Sequence, residues 1–324
     1  MLLEVTHETD LSYSDVISES VMELRVCPLQ APEQYRLSFD LAIGPQAVVN
    51  SYFDWLDNLV HAFTISAPHD RIRIIAKSIV ELDRPAPVPQ ALPDTWPCTE
   101  AQDDYTLYDW LAFDGPIRRS IALQALADEV APQADEPLGN VTERMLDAIK
   151  SHFIYTTGVT TYASPIDEVL EHRKGVCQDF SHLMIGMCRC LGIPARYVSG
   201  LVHTDRSARG AQYLGASQTH AWCEVYFPSF GWVGLDPTNH CPVGNDFVRV
   251  AVGRHFADVP PNKGLYRGKA KEKIGVKVTT KQLKSVPPEL LAEHVHNLPM
   301  PTAQILRRAR DDDGGQQQQQ QQQQ

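Results

Sequence analysis

The sequence predicts an α+β protein: an N-terminal antiparallel β domain ahead of a core in which a helix packs on an antiparallel sheet. Three observations carry this. Leu37, Phe39, Leu41 and Ile43 alternate, as do Ile72, Ile74, Ala76, Val80 and Leu82, which marks half-buried strands. From residue 177, Phe180, Leu183, Met184, Met187 and Leu191 recur at helical spacing. Residues 220–236 then alternate again around Pro228-Ser229-Phe230-Gly231, the pattern of a hairpin.

Taken in order, residues 1–84 read as the β domain. No reactive constellation stands out in it, and it is expected to support or shield the rest. A proline-rich connector follows over 85–104, with five prolines between 85 and 97; proline fixes φ and removes donors, so it should run extended. The core is expected over 105–283. It opens with a helical pattern through Ile117, Ile121, Leu123, Leu126 and Val130. A second helix should be capped by Asn140, with Glu143 three residues on. "FVRVAVG" and "IGVKVTT" read as later core strands. An extension over 284–324 ends in nine glutamines, a low-complexity run expected to be disordered.

The 324 residues carry 40 acidic and 29 basic side chains, a net charge of -11, and 43% of them are apolar. That balance argues against a nucleic-acid partner, since phosphate neutralisation needs basic surface. No apolar run is long enough to span a membrane. The N-terminus lacks the basic and apolar regions of a signal peptide, and the seven cysteines are irregularly spaced. Together these point to reduced thiols in a cytoplasmic protein.

The chemistry concentrates after residue 155. "GVCQDFSHLMIGMCRCLGIPAR" places Cys177 in the first turn of an apolar helix, just after Gly175, which permits a sharp approach to the helix. Unpaired backbone N–H groups and the helix dipole at that turn favour a thiolate and can donate to a developing oxyanion. Most buried cysteines are inert, and Cys188, Cys190 and Cys223 are read so. A catalytic thiol needs a base and an orienting acceptor. His220 opens one strand of the hairpin, and Asp236 ends the other before Pro237. Arg173 and Lys174 either raise the potential near the thiol or are solvated surface.

Alternation fixes the register this pairing requires. His220, Trp222, Glu224 and Tyr226 share a face. Asp236 shares it only if Tyr226 lies opposite Trp232 and Phe227 opposite Gly231. The loop then closes at Gly231, which should adopt an unusual φ or a bulge.

"GVCQDFSHLMIGMCRCLGIPARYVSG", "HAWCEVYFPSFGWVGLDPTN" and "GRHFADVPPNKGLYRG" resemble the bacterial transglutaminase-like family, part of a broader superfamily with the papain-like thiol fold. The resemblance covers residues 140–270, and the β region resembles the family's N-terminal domain. It implies Cys177 as nucleophile, His220 as base and Asp236 as orienting carboxylate. It also implies an upstream oxyanion donor, for which Tyr155 is the candidate. Gln178 and Trp222 are further oxyanion or substrate candidates. One departure is His255-Phe256, where relatives commonly show Asp-Tyr. The expected activity is acyl transfer through a thioester on peptide, isopeptide or glutamine amides, with a peptide or protein as substrate. Hydrolysis by a cysteine peptidase or amidase ranks first and protein-glutamine gamma-glutamyl transfer second. A non-catalytic binding module would predict a lost triad member, and none is lost. No Cys-x-x-Cys pair or calcium loop is present, so neither metal nor cofactor is expected.

Overall fold

A computed structural model describes residues 1–83, 85–204, 213–214, 219–286, 293–300 and 317–321. The chain divides into two compact units, Met1–Asp83 with Pro260–Gln324, and Arg84–Val259.

The first unit contains two five-stranded sheets. In one, Leu2–Ile17 lies between His69–Leu82 and Glu272–Gln282, antiparallel to both. Gln34–Gly44 pairs with the far side of His69–Leu82, and Glu293–Asn297 adds in parallel at its edge. In the other, Glu19–Leu24 pairs with Leu59–Ile65 and Asn262–Arg267, and Val48–Phe53 forms an edge. The alternation read from sequence is visible here: Phe39, Leu41, Ile43, Ile72, Ile74 and Ala76 are buried in one apolar cluster. Leu37 sits at a register shift between Arg36 and Ser38.

Two expectations need correction. "IGVKVTT" was expected in the core, but it pairs with Leu2–Ile17 in the first unit. A strand's alternation does not specify its partner, and this exposed-face pattern serves either sheet. The glutamine run was expected to be disordered. Over Gln317–Gln321 its backbone instead pairs with Asn262–Arg267. An edge strand offers free N–H and C=O groups, and pairing through the backbone does not require apolar side chains. The rest of that run, and residues 287–292 and 301–316 of the extension, lie outside the described residues.

The second unit is built on the sheet ordered Cys241–Pro242, Gly231–Asp236, His220–Phe227, Ala195–Val202 and Phe247–Gly253. Neighbouring strands are antiparallel throughout. The helix Cys177–Cys190 packs on the face carrying Ala221, Cys223, Val225, Phe227, Val233 and Leu235, in one core with Ile121–Asp128 and Leu138–His152 residues such as Leu123 and Met145. On the opposite face Glu224 is fully buried. Arg196 Nη2 donates to its Oε2 at 2.6 Å and Arg249 Nη1 to its Oε1 at 3.2 Å, which joins three adjacent strands. Arg189 is also buried, with its guanidinium donating to the carbonyls of Trp110, Ala112, Ala195 and Arg254.

The helix expected to start at Asn140 begins at Leu138, with Pro137 as N-cap. Tertiary contacts pull it back: Leu138 N–H donates to Asp94 O at 2.8 Å, and Gly139 lies so close to Pro89 that a Cβ would sit 2.3 Å from its carbonyl. Among the described residues no helix is long and apolar enough to cross a membrane.

The hairpin register is the one the shared face requires: Tyr226 opposes Trp232 and Phe227 opposes Gly231. Gly231 has φ +91°, and nothing lies within 4 Å of where its Cβ would be. Replacing it with alanine therefore costs backbone strain alone. We expect Gly231→Ala to lose about 1–2 kcal/mol of stability in urea denaturation, the left-handed penalty for an L-residue; an unchanged midpoint would contradict this.

Candidate active site

Three segments converge at the start of the Cys177–Cys190 helix. Lys174–Gly175 runs parallel to Ile154–Tyr155, and Thr156 N–H donates to Gly175 O at 2.8 Å. Val176 is the N-cap, and Cys177 is the first helical residue. Asp179, at the third helical position, reaches back so that its Oδ2 accepts from Val176 N–H at 2.8 Å. The same oxygen accepts from Thr160 Oγ1 at 2.6 Å. Reading the sequence missed Asp179, although an acid three residues after an N-cap is a capping-box signal. The reason for a glycine at 175 is also corrected. Its φ is not among the positive ones; instead, a Cβ there would sit 2.7 Å from the Asp179 carboxylate.

His220 is the first residue of its strand and Asp236 the last of the neighbouring one, on the shared face. Both are fully buried, and His220 Nε2 lies 2.7 Å from Asp236 Oδ2. Asn239 Nδ2 donates to the same Oδ2 at 2.6 Å, while Asp236 Oδ1 accepts from the N–H of Thr238 at 2.9 Å and of Asn239 at 3.2 Å. The tight turn after Pro237 thus fixes the carboxylate before it meets the imidazole.

Burial lowers the pKa of the His220 imidazole, but the charge and hydrogen bond of Asp236, followed by those of Cys177, outweigh it and raise the net value. Nε2 is engaged by Asp236, which leaves Nδ1 as the ring nitrogen not committed to the carboxylate. Cys177, His220 and Asp236 are therefore brought together in the order expected from sequence.

The lesser candidates separate. Tyr155 is half-buried and packs edge-on to Phe180 at 6.2 Å. Burial and the charges of Cys177, Asp179 and Asp236 push its phenol up to about 12, so it remains a protonated donor. Gln178 is buried and its Nε2 approaches Tyr162 O at 3.4 Å, so it ties the helix to the preceding loop rather than joining the triad. Trp222 lies one ring away from His220, at 6.3 Å, and its buried indole N–H has no hydrogen-bond partner among the described residues. Arg173 adopts a left-handed conformation at a helix end, with its guanidinium 5.0 Å from the Phe153 ring centroid. His255-Phe256 packs behind the nucleophile helix: Phe256 N–H donates to buried His182 Nε2 at 3.1 Å, and burial lowers the pKa of both histidines.

Among the described residues, one group offers metal-ligand chemistry. Glu143, Asp147 and His240 each bring an atom within 4.8 Å of the others. His240 Nε2 lies 3.4 Å and 3.5 Å from the two carboxylates.

A family model of the transglutaminase-like superfamily matches residues 124–237. A second, of the bacterial transglutaminase-like N-terminal region, matches residues 3–81. The uncharacterized protein Rv2569c of Mycobacterium tuberculosis (strain H37Rv) is 33% identical over 270 residues, 81% of this chain and 86% of that one. The chain belongs to the transglutaminase-like superfamily. A protein-glutamine gamma-glutamyltransferase of Pseudomonas aeruginosa is 29% identical over 168 residues, 49% of this chain and 25% of that protein. In fold, this transglutaminase-like chain is similar to a cysteine protease candidate from Cytophaga hutchinsonii, with TM-score 0.70 and 22% identity over 89% of this chain and 93% of that one.

Two outcomes follow from the electrostatics. Burial raises the thiol pKa of Cys27, Cys98, Cys188, Cys190, Cys223 and Cys241. Iodoacetamide below neutral pH should therefore alkylate Cys177 first, as read by peptide mass spectrometry; preferential labelling of another cysteine would contradict the site. The second outcome concerns pH. A folded-state pKa above the ordinary 6.5 means that the His220–Asp236 pair contributes stability while the imidazole is charged, at pH below 6.5. That contribution is lost as pH rises through the raised value. Imidazole NMR titration should place His220 above the ordinary histidine range in the wild type, and lower in Asp236→Asn.

Proposed function

We propose that this chain is a thiol-dependent acyl-transfer enzyme whose Cys177, His220 and Asp236 act on peptide, isopeptide or glutamine side-chain amides. The observation that carries the reading is the fully buried 2.7 Å contact between His220 Nε2 and Asp236 Oδ2, on an imidazole that also interacts with Cys177. Burying such a pair is expensive unless the geometry is good, and a merely structural histidine has no need of a neighbouring thiol at a helix start.

The Cys177 thiolate attacks the amide carbonyl carbon. A C–S bond forms and the carbonyl π pair moves to oxygen. Backbone N–H at the helix start and the Tyr155 hydroxyl donate to that oxyanion. As the oxyanion collapses, the C–N bond breaks, and His220 gives its Nδ1 proton to the departing ammonia or amine. Asp236 holds the ring's orientation and stabilises the imidazolium throughout. The resulting thioester is then opened by a second nucleophile, deprotonated by His220, and the thiolate leaves.

Water as that nucleophile gives a peptidase or amidase, the reading placed first. An amine gives glutamyl transfer, which the Pseudomonas relative's name favours as the second reading. A reduced, cytoplasmic setting belongs to the same proposal.

Incubating the protein with a glutamine- and lysine-containing peptide library, with and without an added primary amine, separates these by mass. Cleavage splits a peptide, deamidation exchanges nitrogen for oxygen, and transfer joins amine and peptide with loss of ammonia. Cys177→Ala should abolish whichever reaction is seen, and Asp236→Asn should slow it by roughly a hundred- to ten-thousand-fold. Undiminished turnover in Cys177→Ala would overturn the assignment.

A further inference from the structure

Asp179 is an expensive residue in an awkward place. It is almost fully buried, and burial, the largest influence on it, raises its pKa. It also puts a negative charge two residues from the nucleophile, which opposes a thiolate. A cap alone does not need this charge, since a neutral glutamine serves at the same third position of a capping box. What this side chain does beyond capping is to serve two segments with one oxygen. Oδ2 accepts from Val176 N–H at 2.8 Å, which fixes the backbone entering Cys177. It also accepts from Thr160 Oγ1 at 2.6 Å, in the stretch between Tyr155 and the helix Ile166–His172. That stretch starts at the candidate oxyanion donor, which is itself paired with Lys174–Gly175. Gly175 leaves the space the carboxylate occupies, because a Cβ there would come within 2.7 Å of both Asp179 Cβ and Oδ2.

Resting on the catalytic reading above, we propose that Asp179 is a positioning residue: with Gly175 vacated for it, its carboxylate sets the Tyr155–Thr160 segment against Cys177, so that nucleophile and oxyanion donor keep a fixed separation. Gln178, whose Nε2 approaches Tyr162 O, ties the same stretch from the neighbouring helix position. The residues immediately after the nucleophile thus hold the loop, while the nucleophile itself is left to the chemistry.

The full-length protein tests this with two readouts: the iodoacetamide rate at Cys177, which needs no oxyanion donor, and kcat on the peptide substrate found above. Asp179→Ala should lower kcat roughly ten- to a hundredfold, the cost of a small misplacement of reacting groups. Cys177 should stay preferentially alkylated, because the thiol survives and an opposing charge is gone. Asp179→Asn keeps an oxygen able to accept from both donors and should restore most of kcat. Gly175→Ala displaces the carboxylate without removing it, so it should reproduce the loss, and the Gly175→Ala/Asp179→Ala double variant should be no worse than Asp179→Ala alone. Additive losses in the double variant, an Asn variant as poor as Ala, or loss of alkylation in step with kcat would overturn the proposal. If Asp179→Ala does not fold, Asp179→Asn and Gly175→Ala decide it by the same criteria. Failure of the catalytic reading is seen separately, as unimpaired turnover in Cys177→Ala.

Discussion

The contact between His220 and Asp236 constrains the site more than any other. Both side chains are fully buried, so neither can be satisfied by water, and removing one partner from such a pair typically costs about 3–5 kcal/mol. The pair therefore dictates the hairpin. A slip of one residue would turn Asp236 to the opposite face and take the carboxylate away from His220. Gly231 supplies the backbone conformation that closes the loop in the required register, and Thr238 and Asn239 hold the carboxylate in place.

The same logic recurs on either side of this sheet. Glu224 is fully buried between Arg196 and Arg249, and these bonds bind three strands in one alignment. Buried ion pairs are poor sources of net stability, but a misaligned strand would strand a charge in the core, so they penalise wrong registers. Arg189 makes a comparable demand from the nucleophile helix by engaging four carbonyls. The helix carrying Cys177 and the strand carrying His220 are thus each held by polar contacts that tolerate little displacement, which suits a reaction in which sulfur and imidazole must stay in register.

The cysteines of the chain sit in unlike surroundings. Burial pushes Cys27 in the first unit and five thiols in the second toward the neutral form, whereas Cys177 stands at a helix start against an imidazole whose pKa is raised. The elements that make the difference come from distant parts of the chain: the Ile154–Tyr155 bridge, the helix, and both strands of the hairpin. Each is short or locally simple, and none has the arrangement without the others.

Much of this was legible in the sequence because its signals are local. Alternation marked the strands, helical spacing marked residues 177–191, and a shared-face condition on His220 and Asp236 selected one hairpin register. Other features depended on partners that alternation does not name. "IGVKVTT" reads as a strand from its pattern, but only tertiary pairing assigned it to Leu2–Ile17. Asn140 has the chemistry of a cap, yet packing of Gly139 against Pro89 moved the helix start to Leu138. Gly175 reads as a turn residue, and only the folded chain shows an Asp179 carboxylate in the space a side chain would take. By itself the sequence determined the candidate residues, through their side-chain chemistry, and which face of an element they occupy, through backbone periodicity. The tertiary structure decided which elements meet and which polar groups share a buried space, because those depend on contacts between segments far apart in the chain.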